Sequence, residues 1–290
     1  MSYRVVRGEF HLFYQGDTRR VSAQPDGDSI WFKPQSKRDL ANLGVRAVKY
    51  NGGGFAQLRF EGIDALELHF GTAHQVLQLA EEARDLALDR AGFNEVTYTE
   101  KGLHVKTATP HPIPGYILTR SVDPYGRPVS FVYEGQTNRQ SGTEIFLDVA
   151  LLNRSINAKL VQAGHAYPTF YTGLPADLRA RIKQLARGAS RTGLWRSDVS
   201  MRGAGIPGLA RLQQLALWPK LFRRLVSYFK DHPNSGLSKF FTWLRADEDR
   251  DDAIWIGSRS ELGNLHDVVT IQGNRIRMQF SPDDLIITPR

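Results

Sequence analysis

The 290-residue chain contains no cysteine, which excludes disulfides, thiolate metal sites and thiol nucleophiles together. No apolar run approaches the ~20 residues that a membrane span requires. Internal repeats, low-complexity tracts and a lysine-rich tail are also missing. The opening "MSYRVVRGEFHLFYQGD" lacks the apolar centre of a secretory leader and reads as a strand. Together these absences lead us to expect a cytoplasmic protein with no membrane partner. Surplus negative charge is lacking too: 38 Lys and Arg face 30 Asp and Glu, a net charge of +8. That sign suits an anionic partner such as nucleic acid. The excess is dispersed, with 25 basic against 20 acidic residues through position 200 and 13 against 10 beyond it. Any anion site must therefore be assembled by folding.

What is present is periodicity. Residues 3 to 32 hold two strand-like runs, "YRVVRGEFHLFY" and "VSAQPDGDSIWF", the second broken by the turn signal Asp26-Gly27. An excursion over 33 to 54 ends in the Gly-rich "KYNGGGF", ahead of a strand that carries Arg59. The spacing of Val76, Leu79, Ala80, Ala83, Leu86 and Ala87 then predicts a helix, with Thr72 and Gln75 as a capping box and Gly92 as its stop. More strands follow, split by "TPHPIPG". A second helix is expected across "RSINAKLVQAG", ending at Gly164. A third runs through "PADLRARIKQLARGAS", with Pro175 at its first turn. This order gives an α+β domain over residues 1–199. "SMRGAGIPG" reads as a linker to a C-terminal accessory module, 205–290. Three short amphipathic helices, the strand "AIWIG" and a hairpin turning at Gly273-Asn274 are expected there.

Three short stretches carry chemistry. "PDGDSI" sets Asp26 and Asp28 around a glycine at a tight bend. "LRFEGIDALE" places Arg59, Asp64 and Glu67 where an apolar strand gives way to a loop. "DPYGRP" puts Asp123, Tyr125 and Arg127 in a turn between strands. Singly, each has a structural explanation: an Asx-turn facing water, a surface ion pair worth ~0–1 kcal/mol, an ordinary turn. Together they form a set for phosphodiester cleavage. The carboxylates of Asp28 and Asp64 suit a hard divalent cation. Glu67 suits orienting or deprotonating a water. The planar, permanently charged forks of Arg59 and Arg127 suit the charge that develops on phosphoryl oxygens.

At these residues the chain resembles the staphylococcal nuclease-like (thermonuclease) family. The family's strand-end pattern of arginine, aspartate and glutamate is matched by Arg59, Asp64 and Glu67. Its DGD turn with a following hydroxyl is matched by Asp26-Gly27-Asp28-Ser29, and its YGR turn by Tyr125-Gly126-Arg127. A helix of the form N-x-x-L-V-x-x-G appears as Asn157, Leu160, Val161 and Gly164, and "GLWRSD" resembles the domain's end. The resemblance covers about residues 10–198 and implies an OB-like five-stranded β-barrel with three helices. It implies a calcium-dependent endonuclease acting on DNA or RNA, although another divalent cation would satisfy the same ligands, and it implies products with 3′-phosphate ends. Asp28, Asp64 and the carbonyl of Ala65 would hold the ion. Glu67 would serve as base, and Arg59 and Arg127 would bind phosphate. The chain departs from the family at Ala65 and Leu66, where threonine and proline are usual, and at Pro124, where a lysine often contacts phosphate.

Tyr125 joins the candidate substrate contacts through its turn. Tyr167, Phe170 and Tyr171 follow the second helix, where they either stack on a base or pack in the core. Arg211, Lys220, Arg223, Arg224 and Lys230 make a basic helical face in the C-terminal module, read here as snorkelling surface side chains. Two rivals to a free-standing nuclease follow. One is a non-catalytic nucleic-acid-binding module, disfavoured because all five charged site residues are present. The other is a nuclease directed to its target by a protein partner bound through residues 205–290, as in host defence.

Overall fold

A computed structural model describes residues 1–99 and 102–288. The chain is α+β and divides into two compact units, 1–61 with 82–160 and 62–81 with 161–290.

The first unit is a closed, mixed β-barrel of five strands, compatible with an OB-like fold. Strands β1 (Ser2–His11), β2 (Ser29–Pro34), β3 (Ala56–Phe60), β4 (Ile113–Val122) and β5 (Pro128–Glu134) hydrogen-bond in the order β1-β2-β3-β5-β4, and β4 closes onto β1. All pairs are antiparallel except β3–β5, which is parallel. Alternating apolar positions produce this barrel because a strand sends successive side chains to opposite faces. Val5, Phe10, Ile30, Phe32, Leu58, Phe60, Leu118 and Phe131 are all buried. Two glycines permit the tight crossing of β1 with its neighbours. Gly8 lies opposite Gly115, and a Cβ on Gly8 would stand 2.2 Å from the Lys33 carbonyl oxygen. On Gly115 it would stand 2.2 Å from the Phe10 ring. A short strand, Glu144–Phe146, extends the sheet beside the start of β1. Ahead of β4, Glu95–Tyr98 and Val105–Thr109 pair antiparallel as a separate two-stranded sheet.

Seven helices occur among the described residues: α1 (Leu77–Arg90), α2 (Val149–Arg154), α3 (Ile156–Ala163), α4 (Ala176–Gly188), α5 (Leu209–Leu212), α6 (Pro219–Asp231) and α7 (Phe240–Arg245). Helix α3 falls where the pattern of "RSINAKLVQAG" predicts it. The preceding α2 escapes sequence reading because six residues are too few to establish a period; the Asp148 carboxylate caps it by accepting from Leu151 N at 2.7 Å. Helix α1 starts later than the expected capping box, and its Gln75 does different work, described below.

In the second unit, Ile63–Ala65 pairs antiparallel with Ala166–Pro168. A four-stranded sheet runs in the order 170–171, 285–287, 253–256, 261–264, and a three-stranded one in the order 204–205, 275–278, 269–272. The hairpin of that smaller sheet turns at Gly273 and Asn274, as its turn signal predicts. Amphipathic α6 buries Leu221, Phe222, Leu225, Val226 and Phe229, each worth roughly 1.5–3 kcal/mol of transfer free energy. They join one cluster with Leu66, Leu68, Tyr167, Trp218 and Phe240. No helix among the described residues is long and apolar enough to cross a membrane.

Candidate functional site

Strand register gathers the first unit's motifs. Ser29 opens β2 opposite Arg59 in β3, and the Asp28 carbonyl accepts from Phe60 N at 2.9 Å. On its other side Arg59 is in register with Val129 of β5, two residues after Arg127. Two stretches far from Arg59 in sequence therefore flank it at one end of the barrel. The Arg59 guanidinium donates to the Asp28 carboxylate, and each side chain is only 12% exposed.

The "DPYGRP" turn is organised by its own aspartate. One oxygen of Asp123 accepts from Tyr125 N and Arg127 N, both at 2.9 Å. The other accepts from Arg127 Nε at 2.7 Å. Gly126 takes a positive φ of 85° at the tip, a conformation that favours glycine. Tyr125 is exposed, with the Arg127 guanidinium 5.4 Å from its ring centre.

The second unit holds the paired carboxylates. Asp64 lies in the strand opposite Tyr167, and its side chain is wholly buried. Ala65, also buried, is registered on Ala166. Glu67 follows in a loop that Gln75 fixes from both sides. Gln75 N donates to the Glu67 carbonyl at 2.8 Å, and the Gln75 side-chain oxygen accepts from Glu67 N at 3.1 Å. The buried amide of Gln75 also donates to the Leu217 carbonyl at 2.7 Å. Gln75 thus ties the Glu67 loop to the chain ahead of α6.

Arg223 of α6 reaches both acids. Its Nη1 and Nη2 donate to the two Asp64 carboxylate oxygens at 3.2 and 2.7 Å, the bidentate geometry that suits this side chain. Nη1 also donates to Glu67. Burial works against the guanidinium's charge, and Asp64 first, then Glu67, raise its pKa well above the ordinary arginine value. Neighbours on α6 are tied down likewise: Lys220 and Arg224 both contact the Asp252 carboxylate at 2.8 Å. The expectation of snorkelling surface cations therefore fails for Lys220, Arg223 and Arg224, because each finds a carboxylate at the packed face of its helix. It holds for Arg211 and Lys230, which are exposed.

Tyr167 and Phe170, two of the candidate stacking rings, are core residues at 0% and 2% exposure. Tyr167 donates its hydroxyl to Asp198 at 2.7 Å and meets Trp195 edge-on, and Phe170 sits in a strand pairing with Ile286. Apolar rings beside a sheet are drawn into the hydrophobic cluster unless something keeps them out. Tyr171 is half-buried, with the Lys220 ammonium 5.8 Å from its ring centre.

Sequence reading missed the partnership of Arg223 with the acid pair and the role of Gln75. The only signal for the first is an arginine on the boundary of an otherwise apolar helical face. No protein-family model matches the chain, and no curated protein matches it.

Proposed function

We propose that this protein is a nuclease of the staphylococcal nuclease-like type, hydrolysing phosphodiester bonds of DNA or RNA by attack of water on phosphorus. The observation that carries the proposal is the register of β2, β3 and β5, which flanks Arg59 with Asp28 and with the Arg127 turn. Side chains suited to one reaction but scattered in sequence are the mark of an assembled site. In this mechanism Glu67 accepts a proton as the water oxygen bonds to phosphorus. Arg59 and Arg127 face the charge that builds on the nonbridging oxygens. The P–O5′ bond breaks, the leaving 5′ oxygen takes up a proton, and a 3′-phosphate remains.

The donors fit a hard cation by their chemistry. Taken by donor type alone, Asp28 of the first unit and Asp64 and the Ala65 carbonyl of the second offer only oxygen, the ligand type calcium prefers. Calcium held by these residues would add Lewis-acid polarisation of the phosphate. In the structure Asp28 is ion-paired with Arg59, and Asp64 with Arg223.

A digestion panel of plasmid and RNA with calcium, magnesium or EDTA tests the proposal, run beside Glu67→Gln. Wild type should cleave with calcium and be silent in EDTA, and Glu67→Gln should lose about 10²–10⁴ in rate. Cleavage indifferent to EDTA or to Glu67→Gln would rule the mechanism out. The hold of Arg223 on Asp64 and Glu67 favours a second reading, a module that binds nucleic acid without cutting it. Retained binding with no hydrolysis in any metal would select that reading.

A further inference from the structure

The second unit carries a cation of its own at the acid pair. Asp64 is completely buried, and both of its oxygens are engaged by one guanidinium. The same guanidinium holds Glu67, the residue read above as the base. A guanidinium and a divalent ion cannot share the pair at low cost, because a fork and an ion on the same oxygens repel each other across a few ångströms of protein.

Arg223 is also firmly presented. It stands on a thirteen-residue helix whose apolar face is buried, and Lys220 and Arg224 anchor that helix through Asp252. Arg224 adds a bond to the Asp249 carbonyl at 2.6 Å. Gln75 meanwhile fixes the Glu67 loop to the chain just before α6, at the Leu217 carbonyl. Each side of the contact is therefore held by bonds that do not involve Arg223. That arrangement suits a latch, which must re-form after release.

We propose that Arg223 is a built-in competitor of the divalent cation: while it is docked on Asp64 and Glu67 the acids are closed to metal, and metal binding requires its release. The inference rests on the reading of Asp64 as a metal ligand. Competition of this kind weakens apparent metal affinity by the fraction of time the latch is open. It is also reciprocal, so metal must weaken the docking of the Arg223 side chain on the acids to the same extent.

The test is calorimetric titration of calcium into the full chain, wild type beside Arg223→Gln, with circular dichroism to verify folding. Arg223→Gln should bind calcium at least about tenfold more tightly, and Asp64→Asn in that background should abolish the gain. Equal or weaker affinity in Arg223→Gln, or no calcium binding by either chain, overturns the proposal. Should Arg223→Gln fold poorly because Asp64 loses its partner, NMR of the Arg223 guanidinium protons in wild type gives the reciprocal readout. Saturating calcium should speed solvent exchange of the Arg223 guanidinium protons, and exchange unchanged or slowed there refutes the latch. The two proposals fail separately. Calcium competition without any cleavage of nucleic acid keeps the latch and removes the nuclease. Calcium-dependent cleavage with Arg223→Gln binding calcium no better than wild type does the reverse.

Discussion

Single residues hold this fold together where strands meet helices. Asn157 of α3 is wholly buried and makes three bonds at 3.0 Å: it accepts from Val132 N and donates to the carbonyls of Glu61 and Ser130. It thereby secures the end of the parallel β3–β5 pair to which Arg59 belongs. Replacing it with leucine would strand Val132 N and the Glu61 carbonyl at ~1–3 kcal/mol each, while the Ser130 carbonyl keeps its 2.9 Å bond from Glu61 N. We expect Asn157→Leu to lose about 2 kcal/mol or more in chemical denaturation. A loss below about 1 kcal/mol would show that the backbone finds other partners. The motif containing Asn157 was legible as a resemblance, but the bonds that make asparagine necessary were not, because they join residues of different elements. The roles of Glu67 and Arg223 are decided at this scale too, since each depends on the charge of one side chain.

Among the elements, the pairing of β1 is the most demanding. Its closest approach to β2 leaves no room for a methyl group at Gly8, where a Cβ would lie 2.2 Å from the backbone oxygen of Lys33. Backbone cannot step aside as a flexible side chain can. Gly8→Ala should therefore lower stability by roughly 1–3 kcal/mol through forced separation of the strands. Thermal unfolding reads this directly, and an unaltered midpoint would mean that the crossing is looser than it stands here. Alternation in "YRVVRGEFHLFY" announces the strand, and the Gly273-Asn274 turn announces its hairpin. Closure of the barrel is announced by nothing local, since β1 meets β4 across about a hundred residues of sequence. Basic α6 illustrates the converse. Periodicity identifies its buried face, yet gives no hint that Lys220, Arg223 and Arg224 find carboxylates.

For the whole molecule, stability against pH is the accessible readout. His111 accepts a hydrogen bond from Leu12 N at its Nε2, 3.0 Å away, and stacks on Phe13 at 3.8 Å. Protonation of Nε2 would break the first contact. Burial, then the neighbouring His11, bring its pKa down to about 4 from 6.5. A histidine depressed in this way contributes its full stability above pH 6.5. As pH falls from there to about 4, the unfolded chain takes up a proton that the folded chain refuses, and the contribution is lost. Asp252 acts in a lower window. Burial opposes its charge, but Lys220 and Arg224 hold its pKa below the usual carboxylate value, so its contribution is present above about pH 4 and fades beneath it. Urea midpoints should fall between pH 6.5 and 4, and the fall should be shallower in His111→Gln, which keeps an acceptor without the titration. Parallel curves for the two proteins would remove His111 as the cause.

Sequence alone determined the strands, the major helices and the set of charged residues that suggests phosphodiester chemistry, because alternation, helical spacing and turn residues act over a few neighbours. Tertiary structure decided which cation sits on which acid. Asp64 and Arg223 are separated by 159 positions, and an ion pair leaves no period in a chain. It exists only where packing carries two opposite charges out of water together, and that is set by the path of the whole backbone.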